Sequence, residues 1–320
     1  MKKKARLLYN KYISKLIVNE NMRSNSKLQK AKKRNFFRYY FEENRGRKMK
    51  PILKYCGVKQ KEIPHFKKYI PKQFDTYYEP FLGGGAVFFD LEPQKAVVND
   101  VNKRLAKFYR SMQSEFETTH NQLEEIAQLY KRNQELNNGE NEKTYYEMRD
   151  VFNGKTQNKK LTYATVYYYI NKTAFSGMIR YNKKGQFNTP FGRYKTFPIK
   201  QITEEHHKLL ERTAILNDDY SKAFDKATAK DFMFLDPPYD TTFSSYGNEC
   251  FTGDFNENEQ RRLAEDFKNL SCKAMMVIGE TELTKELYGK YVKEKYPKNY
   301  AVNIKSRFKS TTNHLIITNY

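Results

Sequence analysis

The sequence has few features of the kinds that form disulfides, metal sites or membrane segments. The three cysteines, Cys56, Cys250 and Cys272, are odd in number and far apart, which excludes a disulfide framework and a zinc-type ligand spacing. The adjacent histidines His206 and His207 form no cluster with cysteines or carboxylates, so no metal is expected. No apolar run approaches the roughly 20 residues that span a bilayer, and no signal peptide is recognisable. We therefore expect a metal-free cytoplasmic protein without a membrane segment.

Acidic residues are few relative to basic ones. The chain carries 59 Lys and Arg against 37 Asp and Glu, a formal net charge of +22. Such an excess suits a polyanionic partner, with nucleic acid as the first candidate and an anionic membrane surface as the second. Biased base composition explains part of the charge, because the chain is rich in Lys, Asn and Tyr and has no Trp. A hydrophobic fraction of 38% still allows a packed core.

Changes in pattern divide the chain into four segments. Residues 1–48 are a basic N-terminal extension, which we interpret as an appended or poorly ordered stretch rather than a DNA-grasping arm. Apolar strand patterns alternate with helix patterns in residues 49–104 and again in residues 213–320. This is typical of one sheet domain that is divided into two parts along the chain. Residues 105–212 have helical periodicity and end in a hairpin pattern at 175–194. The sequence predicts a doubly wound α/β sheet with an inserted helical domain.

A glycine-rich turn joins the first predicted strand to an apolar helix. The strand ends at Glu79, Gly83 and Gly85 follow, and a second strand ends at Asp100. Glycines let a ligand approach the backbone at a helix N-terminus, and an acid at the second strand end can accept hydrogen bonds from ribose hydroxyls. Asp100 could also simply cap its strand. Phe88 stands where a nicotinamide enzyme would carry its third glycine, which disfavours an oxidoreductase.

The segment Asp236-Pro237-Pro238-Tyr239 directly follows an apolar strand, at the edge of the sheet where such folds bind ligands. An exocyclic amine attacks poorly because its lone pair is delocalised into the ring. Two acceptors, the Asp236 carboxylate and the proline-locked carbonyl of Pro237, would draw that amine towards tetrahedral geometry. Tyr239 offers a flat face for an extruded base. The segment predicts methyl transfer to a planar amine.

Four blocks in this order resemble the Dam family of N6-adenine-specific DNA methyltransferases (alpha group, D12 class), from about residue 51 to residue 320. The resemblance implies a Rossmann-like sheet that uses S-adenosylmethionine, with residues 49–104 as its cofactor half, 213–320 as its catalytic half and 105–212 as a target-recognition domain. Tyr55 and Lys59 match residues of the family's first block, which contact the methyl donor. The complete donor site implied by the resemblance is Tyr55, Lys59, Glu79, Phe81, Gly83, Gly85, Asp100 and Asp236.

The third block, residues 171–194, is similar to the family's recognition hairpin. Phe175 matches an aromatic residue that wedges into the DNA stack, and Arg180 matches an arginine that reads a guanine edge through two hydrogen bonds. Met178 and Pro190 match positions that make apolar contacts. The predicted DNA-binding set is Lys172, Phe175, Ser176, Met178, Arg180, Pro190 and Tyr194. The match suggests double-stranded DNA with the site GATC, and a companion restriction endonuclease for the same site.

Other interpretations stay open at this stage. A cytosine-N4 DNA methyltransferase uses a similar catalytic loop, typically with Ser or Asn in place of Asp236. A DNA-binding protein without catalytic activity would share the charge and the hairpin. The hairpin itself could merely pack on its domain.

Overall fold

A seven-stranded mixed sheet organises the computed structural model, which describes residues 48–239, 255–299 and 311–320. The spatial order is β3-β2-β1-β4-β5-β7-β6. Neighbouring strands are parallel from β3 to β5, whereas β7 runs antiparallel to both β5 and β6. The strands are β1 (Tyr77–Glu79), β2 (Ala96–Asn99), β3 (Thr213–Leu216), β4 (Phe232–Leu235), β5 (Lys273–Gly279), β6 (Val292–Asn299) and β7 (Thr311–Thr318). The predicted α/β sheet is confirmed.

The strand order reverses between β1 and β4. The chain moves outward from β1 through β2 to β3 and then returns to the other side of β1. In open α/β sheets ligands bind outside the carboxyl ends of the strands at such a reversal. Glu79 ends β1, and Asp236 directly follows β4. The sheet topology therefore places both predicted segments beside one crevice.

The described residues contain ten α-helices. Asn102 and Thr162 cap α3 and α6 by accepting backbone N–H bonds from the first turn. The helices are α1 (Ile63–Phe66), α2 (Ala86–Leu91), α3 (Lys103–Ser114), α4 (Phe116–Leu136), α5 (Glu140–Phe152), α6 (Tyr163–Thr173), α7 (Glu204–Glu211), α8 (Ser221–Phe224), α9 (Glu257–Lys268) and α10 (Glu282–Tyr288).

Apolar side chains cover both faces of the central strands. Phe232, Phe234 and Met275 belong to one buried cluster, while Met233 and Met276 belong to the other. This division follows the two-residue period of a strand, and burial on both faces explains the continuous apolar runs of β4 and β5. The first cluster also takes in the buried faces of α3 to α6, so the helices that follow β2 share a core with the sheet.

Helices α3 to α6 lie between β2 and β3 in the chain, where the sequence predicts an inserted domain. Residues 49–320 pack as one compact unit. The boundaries proposed for the sheet halves and for the insertion stay predictions, and residues 1–47 lie outside the described part. Within the described ranges, no helix combines the length and the apolar character needed to cross a membrane.

Candidate active site and DNA-recognition segment

Three carboxylates lie at the carboxyl edge of the sheet. Burial raises the pKa of Glu79 to about 8, and the nearby Asp236 and Asp100 add to the rise. Burial likewise raises the pKa of Asp100 to about 6. Burial also raises the pKa of Asp236, and the positive charge of Lys59 lowers it by a smaller amount. Carboxylates that resist ionisation together favour a cationic ligand between them.

The glycine loop is shaped for close approach. Gly83 and Gly85 have φ values of +49° and +66°, in the left-handed region that side chains avoid. The Gly83 N–H donates to Asp100 Oδ2 at 2.8 Å, which ties the loop to the end of β2. A Cβ on Gly84 would lie 2.7 Å from Val58 Cγ2 and 3.1 Å from Tyr55 Cβ. The fold thus brings Tyr55, the glycines and Asp100 together.

Two further aromatic rings pack against Phe81 beside the crevice. The Phe81 ring lies 5.4 Å from that of Tyr220 and 6.0 Å from that of Phe255. Next to it, the Asn99 side chain bonds to the backbone of both Pro80 and Asp218, so the loops that follow β1 and β3 are joined. No role for Tyr220, Phe255 or Asp218 followed from the sequence, because they lie far from Phe81 in the chain.

Lys59 holds the Asp236 carboxylate. Its Nζ lies 2.7 Å from Asp236 Oδ1 and 2.8 Å from Oδ2, and it also donates to the Gly57 carbonyl at 3.0 Å. The residue is only 3% exposed, so its ammonium charge depends on these partners. The same ammonium lies 5.1 Å from the centre of the Tyr239 ring. Lys59 therefore occupies the corner between the carboxylate and the ring.

The rest of the predicted catalytic loop, residues 237–239, is held by β5, β7 and α9. The buried Gln260 donates to the Pro238 carbonyl at 2.7 Å. The Tyr239 ring meets His314 edge to face at 5.2 Å. A Cβ on Gly279 would touch the Tyr239 ring at 3.6 Å, so β5 passes directly beside it. No role for Gln260 or His314 followed from the sequence, since both lie in ordinary helix and strand patterns.

The predicted hairpin is irregular. Its strands pair only at two bridges, Ala174 with Phe191 and Tyr181 with Phe187, around a turn that the Gly185 N–H closes onto the Asn182 carbonyl at 2.9 Å. The Asn153 side chain bonds to both the N–H and the carbonyl of Phe187. The Asn153 side chain thus anchors the segment to the end of α5, in addition to the segment's own backbone hydrogen bonds.

The predicted DNA-reading side chains differ in exposure. Phe175 is 51% exposed, which suits an aromatic wedge. Arg180 is exposed and lies against its own hairpin, donating to the Asn188 side chain at 2.8 Å and to its carbonyl at 3.3 Å. Pro190 and Ser176 are exposed, and Ser176 adopts a positive φ of 53°. Met178 is partly buried.

Lys172 departs from the surface position that a DNA contact suggests. It is 3% exposed and donates to Gln201 Oε1 at 2.9 Å. Burial, with the charge of Lys54, lowers the pKa of Lys172 to about 7. The partly buried Tyr194 has the Lys54 ammonium 4.0 Å from its ring centre. The assignment of Lys172 to DNA stays a prediction, and it requires its ammonium to leave Gln201.

Comparison with known proteins identifies the kind of enzyme to which this geometry belongs. The model of the D12 class N6 adenine-specific DNA methyltransferases matches residues 55–303. The chain belongs to this family. It is therefore a DNA adenine methyltransferase, and the sequence-based recognition is confirmed.

Individual relatives cover most of the chain. The type II methyltransferase M.CviBI of Paramecium bursaria Chlorella virus NC1A is 38% identical over 85% of this chain and all of its own length. The type II methyltransferase M1.LlaDCHI of Lactococcus lactis subsp. cremoris is 33% identical over 85% of this chain and 96% of its own. The DNA adenine methylase of Haemophilus influenzae is 28% identical over 82% of this chain and 91% of its own length.

In the described part of the chain, no three His, Cys, Asp or Glu side chains are grouped to hold a metal.

Proposed function

We propose that this methyltransferase transfers a methyl group from S-adenosylmethionine to N6 of adenine in double-stranded DNA, within GATC. The observation that carries the proposal is the position of Asp236, directly after β4 and beside the strand-order reversal, in a proline-fixed loop next to a crevice lined with carboxylates.

The crevice fits this donor in charge and in shape. S-adenosylmethionine supplies a methyl group on a positively charged sulfur and also carries an ammonium group. Asp100 and Asp236 provide negative charge for such a cation, and Glu79, whose pKa of about 8 leaves it largely protonated at neutral pH, would ionise more easily beside it. Asp100 retains lone pairs for ribose hydroxyls, because each of its oxygens accepts a single backbone bond. Tyr55 covers the glycine loop, as a wall of the donor site would.

The catalytic loop would bind and orient the target amine. For Asp236 to accept a bond from N6, Lys59 has to release at least one carboxylate oxygen, because its ammonium lies within bonding distance of both. Pro237 would provide the second acceptor through its fixed carbonyl, and Gln260 holds the next carbonyl in place. Tyr239 would stack on the extruded base. Most of the rate enhancement would then come from alignment of amine and methyl group.

The recognition segment supports adenine in DNA as the substrate. Phe175 projects from the surface at the start of the hairpin, and Arg180 carries a guanidinium suited to the two acceptors of guanine. Met178 and Pro190 add apolar contacts of the kind made with thymine methyl groups. GATC is the site that the match to the family's hairpin supports.

Product analysis tests the reaction and the site separately. Unmethylated DNA is incubated with the protein and isotopically labelled S-adenosylmethionine, digested to nucleosides and analysed by mass spectrometry. We expect N6-methyladenine; N4-methylcytosine would support the cytosine alternative, and no labelled base would indicate a DNA-binding protein without activity. Sequencing that detects methylated positions then gives the target motif, and a motif other than GATC would refute only the specificity.

The biological setting is a further part of the proposal. Two relatives are named type II methyltransferases, which supports a companion restriction endonuclease that cuts the same sequence. Removing this protein from its host should then be tolerated only together with the endonuclease. The positive charge supports a place on the nucleoid in the cytoplasm, which imaging of a fluorescent fusion would test.

A further inference from the structure

A buried polar cluster lies behind the catalytic loop. It consists of Glu62, Tyr296, Lys298 and His314, which come from the segment before α1, from β6 and from β7. Glu62 Oε2 accepts from the Tyr296 hydroxyl and from His314 Nδ1, both at 2.7 Å, and Oε1 pairs with Lys298. Glu62 is 4% exposed and His314 is 1% exposed. We call these four residues the Glu62 cluster.

The Glu62 carboxylate is charged despite its burial. Burial raises its pKa, but the bonds from His314, Lys298 and Tyr296, together with the charge of Lys59, lower it to about 2. An ionised carboxylate only accepts hydrogen bonds, so the proton of the His314–Glu62 bond resides on Nδ1. This bond fixes the tautomer and the plane of the imidazole ring.

The Glu62 cluster contacts the catalytic loop through two routes. The His314 ring meets the Tyr239 ring at 5.2 Å and 87°, and His314 faces Gly279 across the β5–β7 ladder, so both strands border Tyr239. The charge of Glu62 acts on Lys59, which in turn holds Asp236. His314 and Glu62 also act on Asp236 itself with opposite signs, since His314 lowers and Glu62 raises the pKa of Asp236.

We propose that Glu62 and His314 are a positioning pair for methyl transfer: Glu62 orients His314, whose edge sets the ring plane of Tyr239 on which the target base stacks. Both are positioning residues that act through others: His314 acts through Tyr239, and Glu62 acts through His314 and Lys59. The inference rests on the stacking role proposed for Tyr239. The alternative is that the Glu62 cluster only joins the residues before α1 to β6 and β7.

The chain provides a matched control for that alternative. Glu294 lies on β6 and joins this strand to the residues just after α1. It accepts a hydrogen bond from the Tyr69 hydroxyl at 2.9 Å and pairs with Lys68. Glu294→Gln weakens a connection of the same kind at a more exposed place on β6, so the melting temperatures of the two variants show how much of any rate difference comes from stability. Glu62→Gln and Glu294→Gln therefore separate a positioning role from a purely structural one.

The experiment measures single-turnover methyl transfer, DNA affinity and melting temperature for the full chain. We expect Glu62→Gln to lower the transfer rate about tenfold with DNA affinity little changed, and Glu294→Gln to stay within about twofold of the parent. His314→Asn keeps a donor near the position of Nδ1 but removes the ring, so it should fold and still lose about tenfold in rate. Equal rates for the two glutamate variants would overturn the proposal.

A fluorescent target base tests the route through Tyr239. With 2-aminopurine in place of the target adenine, His314→Asn should raise the fluorescence of the extruded base, because stacking on Tyr239 quenches it. Combined with Tyr239→Ala, His314→Asn should cause no further loss of rate. Independent, multiplying losses would refute the positioning pair. Full activity of Tyr239→Ala alone would instead refute the stacking role on which the inference rests.

Discussion

The carboxyl edge of the sheet and the recognition hairpin are held in place by different interactions. At the edge, Glu79, Asp236 and Lys59 are ionisable groups withdrawn from water, and each changes the protonation or position of another. The hairpin is fixed by neutral bonds, such as those from Asn153 to Phe187, and its arginine stays exposed. Substitutions at the edge should therefore disturb the reaction as a whole, whereas substitution of the base-reading arginine in the hairpin should change selectivity alone.

Replacing Asp236 tests the first half of this comparison with the largest expected effect. Asp236→Ala removes the acceptor for the target amine and leaves Lys59 without its partner, so the single-turnover rate should fall by at least about 10³-fold. DNA affinity should remain within about twofold. Asp225→Asn, at an exposed carboxylate that pairs with Lys222, is the control and should be neutral. Retained transfer by Asp236→Ala would contradict the catalytic assignment.

The local chemistry of Asp236 could be predicted because strand, acid and prolines are adjacent in the chain. Its partners could not. Lys59 lies 177 residues from Asp236, and Glu62 lies 252 residues from His314, so only the folded sheet brings them together. The burial of Lys172 shows the same limit, because the sequence does not reveal how its helix packs, and the assignment of Lys172 to DNA stays a prediction.

Arg180→Ala tests the second half of the comparison. Loss of the guanidinium should reduce discrimination at the guanine position by about 1–3 kcal/mol, with the transfer rate on the best site little changed. Competition between DNA duplexes that differ at a single base pair measures this effect. Lys184→Ala, at the exposed hairpin turn, should weaken binding to all DNA sequences alike. Unchanged selectivity in Arg180→Ala would remove the basis for GATC.

The sheet shows which patterns identify a strand. The apolar runs of β4 and β5 were predicted because both faces of these strands are buried. No strand was predicted at β6, whose sequence contains Lys293, Lys295, Pro297 and Lys298. It lies at the edge of the sheet, where lysine and proline protect against pairing with other chains. The four-residue β3 at the opposite edge was also missed.

Gly84→Ala tests how closely the donor loop is packed. A Cβ there would come within 2.7 Å of Val58 Cγ2, so the segment that carries Tyr55 has to move. Donor affinity, measured by calorimetry, should fall about tenfold while DNA affinity is kept. Gly289→Ala is the control, because its Cβ would meet nothing within 4 Å and its φ of −46° suits alanine. Equal donor affinity of the two variants would show that the loop tolerates the shift.

The pH dependence of stability tests the charge of the carboxyl edge. The pKa of Glu79 rises from an ordinary 4.5 to about 8 on folding, so the folded state binds the extra proton. The contribution of Glu79 is therefore present below about pH 4.5 and is lost as the pH rises to about 8, by at most about 1.4 kcal/mol per pH unit. A bound cationic donor should reduce this loss because it stabilises the ionised carboxylate. Melting curves from pH 5 to 8, with and without donor, should show a steeper loss in the parent than in Glu79→Gln, which keeps the smaller slope of Asp100, whose pKa is raised to about 6. The same slope in Glu79→Gln and in the parent would assign the pH dependence to other groups.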